Sequence, residues 1–187
     1  MTYEIQHYFT LFNDDFDFNQ LETATYDWFL NPLITPTAVR NTRDAYHLTK
    51  DVTTYNAVFD RLERVTLDFL TVNFAGRKAG RAFLSALQTL MTGKTPLDYN
   101  NQVLRQILHQ IDFDVADLIR NHQFARASLI RSQHNFHADK LTILPSSLIY
   151  DITRNDAVLI NYLTQNQVTD YLHHQTAQEQ LQVITQH

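Results

Sequence analysis

Val58, Leu62, Val65 and Phe69 recur at i, i+4, i+7 and i+11. A helix of 3.6 residues per turn places all four on one stripe, and so long an apolar stripe has to be covered by other elements. Asp60 and Arg64 stand beside it at ion-pair spacing. Helical periodicity runs from about Thr37 to Asn73 with an interruption near Lys50-Asp51, following a bend at Asn31-Pro32 and Thr35-Pro36. Val103, Leu104, Ile107, Leu108 and Ile111 predict another helix over 99–111, and Gly93 with Pro96 predicts a helix stop ahead of it. Three glycines and four prolines in 187 residues leave little material for hairpin turns. The expected fold class is therefore all-α. It is a single-domain, multi-helix bundle of short amphipathic helices over residues 1–187, with roughly eight to ten helices.

Both ends are read in the same way. Nine of the 22 aromatic residues lie in the first 29 positions, and Tyr8, Phe9 and Phe12 share a face of a first helix. Asn19 with Glu22 fits a capping pattern for a second helix running toward Phe29. This aromatic-rich segment, 1–30, is expected to plug the core as a helix pair, and its functional reading is an apolar ligand pocket, as in a small-molecule sensor, or a partner groove. Leu141 to Pro145 reads as extended or loop, Ser146-Ser147 as a helix start, and Asn155 or Asp156 as the start of a helix through Leu163. Val168, Tyr171, Leu172, Leu181 and Ile184 predict a last helix over about 167–184.

Absent residues exclude some chemistries. There is no cysteine, which removes disulfides, thiolate metal ligands and cysteine nucleophiles together. The acidic run from Asp14 to Asn19 lacks the glycine and glutamate of a calcium loop, with Gln20 and Tyr26 in their places. Gly93-Lys94-Thr95 ends like a phosphate loop, but Gln88 replaces the earlier glycine, which excludes nucleotide hydrolysis there. The N-terminus shows no secretory signal and no apolar stretch has the length of a membrane span, so the expected location is the cytoplasm, with no membrane contact.

Charge is uneven along the chain. The net charge of −5 divides into −6 over residues 1–70, +4 over 71–140 and −3 over 141–187. A basic middle between acidic ends is suited to an anion-binding face. Two segments carry its side chains. In the first, Phe74 to Arg81, Gly76 and Gly80 lie four residues apart beside Arg77, Lys78 and Arg81. Small residues at that spacing allow a close backbone approach, and the cations are candidate phosphate-backbone donors.

The second segment is Asp112 to His137. Val115-Ala116-Asp117-Leu118 through Arg126-Ala127-Ser128-Leu129-Ile130-Arg131, with a break at Asn121-His122-Gln123, resembles the helix-turn-helix segment of DNA-binding regulators. That resemblance implies a second helix lying in the major groove, with Leu129, Ser132 and Phe136 inward and Arg126, Gln133 and His137 outward, flanked by Arg131 and His134. Arginine and glutamine make paired hydrogen bonds with guanine and adenine. Ile119, His122, Gln123 and Ser132 depart from the pattern of the motif.

His134 and His137, at i, i+3, with Asp139, are the alternative metal ligands, and His109, His122, His173 and His174 are further donors. A three-histidine bundle of this kind is similar in arrangement to DinB-like metal hydrolases. There is no His-Glu-x-x-His, and the four glutamates, Glu4, Glu22, Glu63 and Glu179, exclude a glutamate-rich di-iron bundle. The resulting expectation is a non-enzymatic regulatory or interaction protein that contacts nucleic acid, binds no cofactor, has a protein partner and self-associates as a homodimer. The metal site and the small-molecule sensor are its alternatives.

Overall fold

The helices expected between Thr37 and Ile111 are there, but the described residues hold five α-helices and not eight to ten, and strands stand where helices were expected near both ends. The structure, a computed structural model, describes residues 3–12, 26–152 and 156–161. In chain order these hold β1 (Tyr3–Phe9), β2 (Tyr26–Pro32), α1 (Pro36–Ala45), α2 (Val52–Phe74), α3 (Arg77–Met91), a 3-10 turn at Pro96–Asp98, α4 (Asn101–Gln110), α5 (Val115–Ala138), β3 (Ser146–Asp151) and β4 (Asp156–Asn161). The fold is mixed α/β, which corrects the all-α expectation.

Local chemistry sets the helix limits. Thr35 accepts a hydrogen bond from the Ala38 amide, and Pro36 occupies the first turn of α1, where its missing N–H costs nothing. Asp51 caps α2 through the Thr54 amide, and Asn100 caps α4 through the amides of Gln102 and Val103. Gly93 takes φ 73° just beyond α3, a conformation that favours glycine. In α2, Val58, Leu62, Val65 and Phe69 are all fully buried, as their spacing predicted.

The strands lie where the aromatic and β-branched residues cluster near the ends. β1 runs Tyr-Glu-Ile-Gln-His-Tyr-Phe, and Tyr3, Ile5, His7 and Phe9 alternate onto one face. That period of two prevails over the helical spacing of Tyr8, Phe9 and Phe12. Ser146-Ser147 opens a strand and not a helix, and Asp156–Asn161 is its antiparallel partner. The expected caps at Asn19 and Glu22 and the helix over 167–184 fall outside the described residues.

The four strands form one sheet in the order β2-β1-β3-β4. β1 and β2 are parallel, with Ile5 opposite Trp28, whereas β3 is antiparallel to β1, with Ile5 opposite Ile149. The helices α1 to α5 are inserted between β2 and β3, and the peptide bond at Leu144-Pro145, just before β3, is cis. Tyr3, Ile5, Phe9, Trp28, Leu30 and Ile149 form a core with Val65 and Phe69 of α2, Phe83 and Leu87 of α3, Ile107 of α4 and Leu129 of α5. Within it His7 is fully buried, sharing a 2.7 Å hydrogen bond with Ser147 Oγ and stacking on Phe9 at 5.4 Å. On the other face, Tyr8 packs with Leu33, Phe136 and Leu141. Its hydroxyl donates to Asp139 at 3.0 Å, and burial followed by that bond pushes the phenol well above its ordinary pKa.

Candidate ligand cleft at the end of the first strand

Three segments far apart in the chain meet where β1 ends. Beyond Phe9 the backbone is tied to the chain after β2: the Leu33 amide donates to Phe9 O at 2.7 Å, and Thr10 Oγ1 donates to Leu33 O at 3.0 Å. Phe9 to Phe12 thereby form one wall of a cleft of about 480 Å3. A second wall is the end of α1, Ala45 to His47, and the third is the face of α3 carrying Leu84, Leu87, Gln88 and Met91, continued by Thr92 to Thr95. The floor is apolar, since Phe9, Leu11, Leu84, Leu87 and Met91 are all buried. The lip is polar, with His47, Gln88, Thr92 and Lys94 exposed.

The turn that carries Lys94 is fixed by hydrogen bonds. The Lys94 amide donates to Met91 O at 3.0 Å, and Asp98 Oδ2 accepts from the Thr95 amide at 2.8 Å and the Thr95 hydroxyl at 2.9 Å. The backbone donor, then the hydroxyl, holds the Asp98 carboxyl below the usual carboxylate range. No carboxylate among the described residues lies within 4.0 Å of the Lys94 ammonium. Carboxyl ends of adjacent parallel strands are where open α/β sheets hold ligands, and the volume falls in the range of ligand sites.

None of the residues singled out as nucleic-acid or metal contacts lines this cleft, whereas Phe9 and Phe12 of the aromatic segment and Gln88 and Gly93 to Thr95 of the rejected phosphate loop do. Arg77 pairs with Asp27 at 3.1 Å and lies over the Phe29 ring at 4.9 Å. Arg77 and Arg81 come together on a small hollow of about 100 Å3 beside Trp28 and Asn73, and Lys78 is exposed. The close backbone approach expected at Gly76 and Gly80 is not what stands there: the Asn73 side chain is packed where a Cβ of residue 80 would stand, and the space beside Gly76 is open.

The helix-turn-helix reading is overturned by α5. Residues 115–138 form one unbroken helix of 24 residues, with Asn121, His122 and Gln123 in its interior. Neither glycine nor proline stands there to end it, and Ala125, Leu129, Ser132 and Phe136 make one continuous buried stripe. Arg126, Gln133 and His137, at i, i+7 and i+11, share a side about a quarter-turn from the buried stripe, whereas Arg131 lies well round the helix from Arg126. Arg126 is engaged with Glu63 at 3.1 Å. Arg131, His134 and His137 are exposed.

Among the described residues no group of three or more His, Asp or Glu side chains is placed to hold a metal; His134 and His137 stand exposed on α5, and His173 and His174 lie outside the described residues. Of the N-terminal aromatics, Tyr3, Tyr8 and Trp28 are buried in packing on the sheet, whereas Phe9 and Phe12 line the cleft together with α1 and α3. No helix among the described residues is long and apolar enough to cross a membrane. The cleft itself escaped the sequence because it joins residues near positions 12, 46 and 91, and periodicity reports only neighbours along one element.

No family model matches the chain, and no curated protein sequence matches it. A solved structure does: a "putative protein disulfide isomerase" from Nitrosomonas europaea, with a TM-score of 0.64 and 10% sequence identity over 95% of this chain and 99% of that one. The likeness extends over sheet and inserted helices together, and at that identity it speaks for architecture. It overturns the all-α regulatory bundle that contacts nucleic acid. With β1 and β2 parallel, β3 and β4 antiparallel and the helices inserted before β3, the chain has a thioredoxin-like fold.

Proposed function

We propose that this thioredoxin-like chain binds an extended polypeptide segment in the cleft at the end of β1, without exchanging disulfides through side chains of its own. The observation that carries the reading is the cleft: about 480 Å3 at the carboxyl end of β1, with an apolar floor and a polar lip. Apolar side chains of a bound segment would be removed from water against Phe9, Leu84, Leu87 and Met91.

The structural neighbour supports the choice of ligand. By its printed name that protein acts on proteins and on their disulfides. Thiol–disulfide exchange proceeds by attack of a thiolate on a disulfide sulfur. This chain has no cysteine, so it has no sulfur with which to make or break that bond. The polypeptide half of the neighbour's activity requires only a shaped surface, and the cleft provides one.

The test is fluorescence anisotropy with a short labelled peptide containing a leucine–phenylalanine pair, for the native chain and for Gln88→Trp. Gln88 is exposed at the mouth, so an indole there fills the opening without entering the core. Binding by the native chain and at least about tenfold weaker binding by the variant is the expected result, roughly the worth of one well-buried apolar contact. Equal binding by both would move the ligand elsewhere on the surface. In parallel, the chain is expected not to accelerate reduction of insulin disulfides by dithiothreitol.

A further inference from the structure

The cleft does not stop at Lys94. Gly93, Lys94 and Thr95 are also one wall of a second, more open chamber of about 420 Å3, bordered by Asp98, Asn100, Gln102, Val103 and Gln106. The two chambers share that turn and differ in chemistry. The first has a floor of Phe9, Leu84, Leu87 and Met91, and the second is lined almost wholly by polar side chains.

Most polar groups of the second chamber are already committed to the fold. Asp98 Oδ2 accepts both the amide and the hydroxyl of Thr95. Asn100 Oδ1 accepts the amides of Gln102 and Val103 at 2.8 and 3.2 Å, and its Nδ2 donates to Asp98 O at 2.9 Å. Lys94 differs. It is exposed on the wall common to both chambers, and no carboxylate among the described residues lies within ion-pair distance of it. Asp98 is the one carboxylate lining either chamber. Exposed Gln102 and Gln106 stand one turn apart on α4 and add amide donors and acceptors without charge.

We propose that the two chambers are a single site whose ligand is a polypeptide segment with an acidic side chain next to its apolar anchor, the anchor in the first chamber and the carboxylate at Lys94 on the way into the second. This rests on the polypeptide reading of the cleft and adds the charge of the ligand. A cation placed between an apolar floor and a polar chamber whose one carboxylate, Asp98, is committed to Thr95 favours segments of one sign, and electrostatic complementarity of this kind sets selectivity more than total affinity.

The test uses three short fluorescein-labelled peptides with the same leucine–phenylalanine pair, flanked by aspartates, serines or lysines, and follows anisotropy with the full chain. The native chain is expected to bind the aspartate peptide about fivefold more tightly than the serine peptide, the scale of one partly exposed ion pair, and the lysine peptide most weakly. Lys94→Gln should remove the preference and Lys94→Glu reverse it, with circular dichroism unchanged because Lys94 is exposed. The preference should also shrink as salt is raised. Equal binding of all three peptides by the native chain, or an acidic preference that survives Lys94→Glu, overturns the charge assignment and leaves polypeptide binding standing. Failure of every peptide to bind overturns both.

Discussion

Tyr99 donates its hydroxyl to Asp68 Oδ2 at 2.9 Å, and both side chains are buried where the 96–98 turn meets α2. Arg64 approaches the same carboxylate at 3.9 Å, with its guanidinium 6.0 Å from the centre of the Tyr99 ring. Burial is the larger influence on Asp68. It lifts the carboxyl above its ordinary pKa, against the lowering effects of the Tyr99 hydroxyl, Arg64 and His122. The phenol is likewise pushed far up, first by burial and then by the charge of Asp68. This junction supports the turn that carries the cleft's Lys94 wall.

A raised carboxyl has a definite sign in stability. Between the ordinary carboxylate range and the raised value, the folded chain keeps a proton that the unfolded chain has released. Stability from this group is therefore full below the unfolded pKa and is lost as pH rises through the folded one. Asp68→Asn keeps an oxygen acceptor for Tyr99 and does not titrate. Urea unfolding from about pH 4, the ordinary carboxylate pKa, to neutrality should show the variant gaining on the native chain as pH rises. A stability difference independent of pH would show that Asp68 titrates alike in both states.

Gly80 faces Asn73 across the contact between α3 and α2, and the Asn73 side chain occupies the space of a Cβ. A methyl group there must push that side chain aside, at a cost on the order of 1–3 kcal/mol. Gly80→Ala should lower the unfolding free energy by that amount, measured by denaturant titration. An unchanged or raised stability would mean that Asn73 moves aside freely and that helix propensity decides the outcome.

Continuity of α5 is open to a similar check. Gln123 lies inside a helix from Val115 to Ala138, so Gln123→Pro removes an intrahelical hydrogen bond and drives the ring into the carbonyl four residues earlier. The expected loss is about 3 kcal/mol or more, with reduced helical circular dichroism. A proline tolerated there without loss of helix signal would restore a break between 121 and 123.

The helical half of the molecule was legible because each helix declares itself locally. Thr35-Pro36, Asp51 and Asn100 start helices by chemistry that needs no tertiary contact, and Val58 to Phe69 mark a buried stripe. The sheet was misread for a physical reason. Scarce glycine argues against hairpins, not against sheets, and among the described residues only β3 and β4 are successive antiparallel strands. β1 and β2 are parallel, and β3 joins β1 only after the whole helical insertion, so tight turns are hardly called on. Seven residues of β1 also offered both a period of two and a helical spacing at Tyr8 and Phe9, and only Trp28 and Ile149 across the ladders decide between them.

That insertion has a kinetic side. Tyr3 pairs with Asp151 and Tyr8 with Ser146, so the central ladder of the sheet closes a loop that contains every helix of the described chain. During synthesis α1 to α5 have all emerged before the first residue of β3 exists. The apolar face of β1 must wait for its neighbour with the helices already made, and non-local pairing of this kind is the slow class of folding event. The helices are thus the part of the molecule on which the last strands are laid down, and the cleft, built from β1, α1 and α3, can take shape ahead of the sheet's completion.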